Sequence, residues 1–219
     1  MPGLRERKKQ ETRKRISDIA TGLFMHRGFD KVTVAEIAEL ANVSKMTVFN
    51  YFARKEDMFF DREDEALALV RRAILERPAG ASPLVAMHAL VRRLLSEGYP
   101  LVAVSPGVRM FWRTVAASPV LRARGRELLD RIETQLAHLL AAAVGAPPDD
   151  PGAALAAAMI WAVQRVTYQV GLAAVDAGEP VETARRRQRD MIDRGFAQVM
   201  NGLATTPFGR VPRKPATRR

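Results

Sequence analysis

The stretch from Val32 to Phe52, VTVAEIAELANVSKMTVFNYF, constrains this chain more than any other, because it spells two short helices joined by a tight turn. Val34, Ile37, Ala38 and Ala41 recur at the three- and four-residue spacing of an amphipathic helix, and Val48 and Phe52 give the second helix its buried side. Thr33 stands where the first helix needs an N-cap. With Glu36 three residues on, it can form a capping box in which each side chain satisfies the other's orphan backbone N–H. Ser44 caps the second helix in the same manner. Asn42 falls at the bend, where a positive φ is needed and Asn is among the few residues that tolerate it. Ala38 is small where the helices must cross. The pattern predicts a helix-turn-helix over 33–52, whose second helix enters the major groove of DNA.

With Val48 and Phe52 buried, Met46, Thr47 and Asn50 point the opposite way. An amide can pair bidentately with adenine, a threonine can bond a base edge or meet a thymine methyl, and a thioether can meet that methyl too. These three are the expected base-reading residues. Lys45, Phe49 and Tyr51 flank them, and with Thr33 and Lys55 they are expected at the phosphate backbone, where contacts position without specifying. An ordinary two-helix corner with a solvated outer face would carry the same local pattern.

The context resembles a known family. Thr12-Arg13, Ile16, Ala20, Phe24, Gly28-Phe29, Thr33-Val34, Glu36-Ile37-Ala38, Val43-Ser44, Thr47, Phe49, Tyr51-Phe52 and Lys55 follow, without a gap over about residues 10–60, the order seen in TetR-type (tetracycline-repressor-like) transcriptional regulators. Two positions depart from that pattern. Asn42 stands where Gly is common, and Met46 where Gly or another small residue often precedes the Thr, which puts any inherited operator sequence in doubt. The resemblance implies an all-α homodimer with a ligand-responsive C-terminal domain, usually acting as a repressor. It implies a DNA-binding domain over 10–70, a ligand-binding and dimerisation domain over 71–204, and release from a palindromic operator when a small effector binds.

Charge is concentrated at the ends. Of the net +11, residues 1–15 carry +5, from seven Lys or Arg against two Glu, and residues 205–219 carry another +5. A basic arm before a helix-turn-helix can track phosphates and speed association. The tail over 205–219 reads more simply as a basic, disordered, solubilising end. There is no Cys, so disulfides and thiolate metal sites are excluded and a reducing cytoplasm suits the chain. His26, His88 and His138 show no ligand spacing, so no metal or cofactor is expected. No secretory signal is visible, and the charge-free stretches 134–148 and 151–164 are shorter than the ~20 apolar residues of a membrane span.

Every further element reads as helical. Expected helices run over 12–27, 55–75, from Ser82 to Gly98, over a short or kinked 100–117, and over 120–144, 151–178 and 181–204. The 151–178 segment is apolar on two sides, one with Leu155, Met159, Val163, Val166 and Val170, the other with Ala154, Ala158, Trp161, Arg165, Tyr168 and Leu172. A helix apolar all round is buried all round, and an aromatic-plus-Arg face suits a subunit contact. Trp161, Arg165, Leu172, Met191, Gly195 and Phe196 are therefore the expected dimer interface, with completion of a monomer core as the alternative. Following the family, an apolar or amphipathic effector is expected among Met87, Met110, Phe111 and Trp112, with Arg113, Gln164 and Tyr168 as polar handles, although residue by residue plain core is the favoured reading.

No phosphate loop, nucleophile elbow or metal-ligand cluster speaks for an enzyme. Two rivals to a site-specific regulator remain. One is a nonspecific chromosome-coating DNA-binding protein, the other a helical protein-interaction module with a vestigial helix-turn-helix.

Overall fold

The computed structural model describes residues 3–209 and is all-α, with no strand among those residues. The chain parts into two compact units. Among the described residues, the first takes those up to Glu63 together with Met110–Leu128, and the second takes Asp64–Arg109 with those from Leu129 to Gly209. A contiguous division at residue 70 therefore misses the segment 110–128, which packs with the N-terminal unit.

In the first unit, α1 (Leu4–Arg27), α2 (Val34–Leu40) and α3 (Lys45–Tyr51) surround Ile16, Ala20, Phe24, Ile37, Ala38, Val48 and Phe52. α1 begins eight residues earlier than apolar periodicity predicts, because residues 4–11 are good helix formers that extend an existing helix without paying nucleation. Gly28 ends it at φ 86°, a conformation open to glycine at no steric cost. After α3 the chain does not enter a long helix at Lys55. A 3₁₀ turn over Lys55–Met58 comes first, and α4 (Glu63–Leu75) starts later. The cause is aromatic packing. Met58 and Phe59 are buried in the unit's core, and Phe59 stacks on Phe111 with ring centroids 4.2 Å apart.

α5 (Pro83–Ser96) is capped by Ser82, and α6 (Pro106–Ala117) opens on Pro106, where a missing N–H costs nothing. α7 (Pro119–Val144), α8 (Pro151–Asp176) and α9 (Val181–Gly202) follow. The second unit's core joins Leu84, Met87, Leu90 and Leu94 of α5 to Leu136 and Leu140 of α7, Ala153, Ala156 and Ile160 of α8, and Ile192, Phe196 and Val199 of α9. Phe208 also lies in it, so the packed chain continues past residue 204. The basic residues predicted as a tail, from Arg210 on, lie outside the described residues.

α8 and α9 approach closely because small residues line their contact. A Cβ on Gly195 would sit 2.6 Å from the Val163 side chain, and one on Gly171 would sit 2.6 Å from Gln188. Gln188 is fully buried and holds the segment before α6. Its Oε1 accepts from the Val104 N–H at 3.2 Å, and its Nε2 donates to the Val102 carbonyl at 3.1 Å.

Candidate nucleic-acid interface

The geometry of the two short helices follows from their caps. The Thr33 hydroxyl accepts from the Glu36 N–H at 3.2 Å, and the Glu36 carboxylate accepts from the Thr33 N–H at 2.7 Å and from its hydroxyl at 2.9 Å. Arg27 pairs with the same carboxylate at 2.9 Å. The two Thr33 donors, then Arg27, hold the Glu36 pKa at about 2, well below its ordinary 4.5. A carboxyl depressed in the folded state contributes stability above its unfolded pKa and loses that contribution as pH falls through the folded one. Glu36→Gln is therefore expected to flatten the loss of helix signal between pH 4.5 and 2, followed by circular dichroism against the parent. Superimposable acid curves would remove the capping box from the account.

The turn is closed by Asn42 at φ 51°, and Ser44 accepts from the Thr47 N–H at 3.0 Å. Val48 and Phe52 are buried, which turns the opposite face of α3 outward. Met46 is 69% exposed, Phe49 is 51% exposed, and Lys45 and Asn50 are also exposed. Thr47 is half-buried, with its hydroxyl 2.9 Å from that of Ser44. Met46, Thr47 and Asn50 thus share one accessible face of an α-helix, with Lys45 and Phe49 beside it and Thr33 at the entrance to α2. Tyr51 is half-buried against the unit's core.

Lys55 departs from expectation. Its ammonium donates to the Phe29 carbonyl at 2.5 Å and lies over the Phe29 and Phe24 rings, 4.1 and 5.4 Å from their centroids. Burial pulls its pKa below the usual value, against the opposing pull of Asp30, Glu56 and Glu36. It ties the 3₁₀ turn to the end of α1 and is not presented to a phosphate. Arg13, which the sequence marked only as part of the family pattern, does comparable work at the C-terminal end of α3. It donates to the Tyr51 carbonyl at 3.0 Å, pairs with Asp61 and sits 4.6 Å from the Phe52 ring centroid.

The residues expected in an effector pocket divide between the two units. Met110, Phe111, Trp112 and Arg113 belong to the first, where Phe111 and Trp112 pack against its core and Arg113 is exposed. Met87, Gln164 and Tyr168 belong to the second, where the Tyr168 hydroxyl donates to the Pro100 carbonyl at 2.9 Å. Among the expected interface residues, Phe196 and Gly195 are buried inside the second unit and Leu172 packs on its Val104–Ala184 cluster. Trp161 and Met191 are half-buried, and Arg165 is exposed. Periodicity misplaced the inner face of α8. The buried stripe joins Ile160 and Val175 to Ala153, Ala156, Ala157, Thr167, Gly171 and Ala174, whose small side chains carry little hydropathy signal yet permit close packing. No helix among the described residues is long and apolar enough to cross a membrane.

An all-α chain opening on a capped, solvent-facing helix-turn-helix has the form of a DNA-binding regulator, and comparison with known proteins agrees. The description "Bacterial regulatory proteins, tetR family" matches residues 16–61. The HTH-type transcriptional regulator TcmR of Streptomyces glaucescens is 34% identical over 152 residues, covering 68% of this chain and 67% of that protein. A regulator ascribed to mycofactocin biosynthesis, MftR of Mycobacterium tuberculosis, is 28% identical over 141 residues, covering 57% of this chain and 71% of its own. In fold, the chain matches a crystal structure assigned to the TetR family from Mesorhizobium loti, with a TM-score of 0.55 at 17% identity, over 86% of this chain and 96% of the other. The chain belongs to the tetR family and is a transcriptional regulator.

Proposed function

We propose that the protein binds a palindromic operator as a homodimer, represses from it, and is released by an apolar or amphipathic small molecule. The observation that carries the DNA-reading part is the free face of α3, where Met46, Thr47 and Asn50 stand together above a seam closed by Val48 and Phe52. One short helix offers little specificity. Two related by a twofold axis can read half-sites ~34–36 Å apart. The dimer is supported by α8, whose outward side carries Leu155 at 57% exposure and Val166 at 41%, with Ala158, Trp161 and Ala162 half-buried.

The effector reading rests on the second unit. The Gln164 Oε1 and the Thr167 Oγ1 are both buried without a hydrogen-bond partner, three residues apart on α8. Buried polar atoms are normally satisfied, so such a pair favours a ligand that brings hydrogen-bond donors to this stretch of α8. Any effector shifts DNA binding only by its difference in affinity between the bound and released states.

Selection of bound sequences from a random duplex pool tests this proposal. A recovered palindrome is the expected result. Asn50→Ala should then relax preference at one position per half-site, a loss of ~1–3 kcal/mol for the right base, and Lys45→Ala should weaken all sequences alike. Recovery of no preferred sequence would leave a nonspecific DNA coat as the better description.

A further inference from the structure

We propose that the N-terminal end of α1, residues 4–12, is a second DNA-contacting element, a basic helical rod that lies along the phosphate backbone beside the half-site read by α3. This rests on the DNA-reading proposal above and extends its footprint beyond the recognition helix.

α1 is 24 residues long, and the first of its residues to be buried is Ile16. Every residue from Gly3 to Glu11 is exposed, so about two turns of helix stand clear of the unit's core. An unpacked helix end has little tertiary reason to be kept, and its composition shows what it offers. It carries Arg5, Arg7, Lys8 and Lys9 against Glu6 and Glu11. Among the described residues these four cations have no carboxylate partner, whereas the next two basic residues along the helix do, Arg13 with Asp61 and Lys14 with Asp18. Arg13 is bonded into the fold, through the Tyr51 carbonyl and Asp61, whereas the four cations before it are exposed and project past the core.

Their direction follows from Arg13. That residue is bonded to the carbonyl of Tyr51, the last residue of α3, so its side of α1 faces the end of the recognition helix. Lys9 and Arg5 lie four and eight residues earlier, which keeps them within roughly 80° of that side and carries them ~6 and ~12 Å further along the axis. A helix leaving the end of α3 with cations at such intervals matches a line of phosphates, whose contacts give affinity without sequence preference. An anionic membrane suits it poorly, because Leu4 is the one apolar residue in 4–11 and an interfacial helix needs an apolar face to bury.

The test replaces Arg5 and Lys9 together by Gln in the full chain, which keeps helix propensity and touches no packed residue. Binding to the selected duplex is measured between 50 and 200 mM salt. The expected result is weaker binding to every sequence, a log–log salt slope shallower by roughly two to four for a dimer at ~0.9 per phosphate contact, and an unchanged ratio between selected and scrambled duplexes. Deleting residues 1–9, which removes Arg7 and Lys8 as well, should flatten the slope at least as much. An unchanged slope with intact specific binding overturns this inference alone, and a changed sequence ratio overturns its assignment to phosphates. Failure of the parent protein to bind any duplex at low salt overturns the regulator reading and this inference with it.

Discussion

Replacing Arg124 with alanine is expected to destabilise the helix-turn-helix unit by about 3–5 kcal/mol, the range seen when one member of a buried ion pair is removed and the other remains. The Arg124 side chain is 8% exposed, and its Nε donates to Asp57 at 2.8 Å. Its two Nη atoms lie 3.4 Å from Glu127 and 3.6 Å from Glu63. Asp57 and Glu63 are themselves only 19% and 13% exposed, so losing the guanidinium removes the cation shared by two largely dehydrated carboxylates. The damage reaches α3 through Asp57, which also accepts from the Arg54 N–H at 3.1 Å and so fixes the turn that follows that helix. Trp112 packs on this unit's core and Trp161 belongs to the other unit, so a Trp161→Phe background makes fluorescence report the first unit alone. The urea midpoint should fall by on the order of 1–3 M at the usual m-values. Arg124→Lys should recover part of the loss, since an ammonium is a point charge that cannot serve three carboxylates in fixed directions. A midpoint that does not move in the alanine variant would mean that the network is solvated and structurally idle.

What the sequence disclosed and what it hid divide along the distance over which each feature is determined. Thr33, Asn42 and Ser44 act on backbone within three residues of themselves, and all three stand in the structure as capping and turn chemistry requires. The buried seam of Val48 and Phe52 and the resulting outward face of α3 follow from helical geometry alone. Lys55 was misplaced because its choice between a phosphate and an internal site depends on where Phe24 and Phe29 arrive, and no local pattern encodes that. The adoption of residues 110–128 by the N-terminal unit is hidden for the same reason, since it turns on Phe111 meeting Phe59. The inner stripe of α8 was invisible because close helix packing selects Ala and Gly, which hydropathy scores as indifferent. Gln188 gives no apolar signal either, and only its two bonds to the backbone at Val102 and Val104 explain a buried amide in α9.

Phe196→Ala is expected to lower stability by about 3–5 kcal/mol at every protein concentration, as large-to-small substitutions of core aromatics do. That dependence separates the structural account from the expectation that Phe196 belongs to a subunit contact. Its ring has no exposed surface, and it stacks on His88 with centroids 4.9 Å apart. His88 is held in turn by Asp193 at 2.8 Å, and Arg92 lies 3.4 Å from the same carboxylate. Truncation therefore opens a cavity among α5, α8 and α9 and frees the imidazole from its stacking partner, with no partner chain involved. Trp161→Glu is the contrasting change. Its site is half-buried on the single chain, on the same helix as exposed Leu155 and Val166, so a charge there should dissociate the proposed dimer in sedimentation while leaving the unfolding midpoint of the monomer nearly unchanged. The two variants should thus fail in opposite ways, one unfolding at concentrations where it is still paired, the other staying folded after it has come apart. If Phe196→Ala instead shifted the dimer equilibrium and spared the folded monomer, the placement of α9 in this unit's core would be wrong. The glycine contacts at Gly171 and Gly195 would then need another explanation.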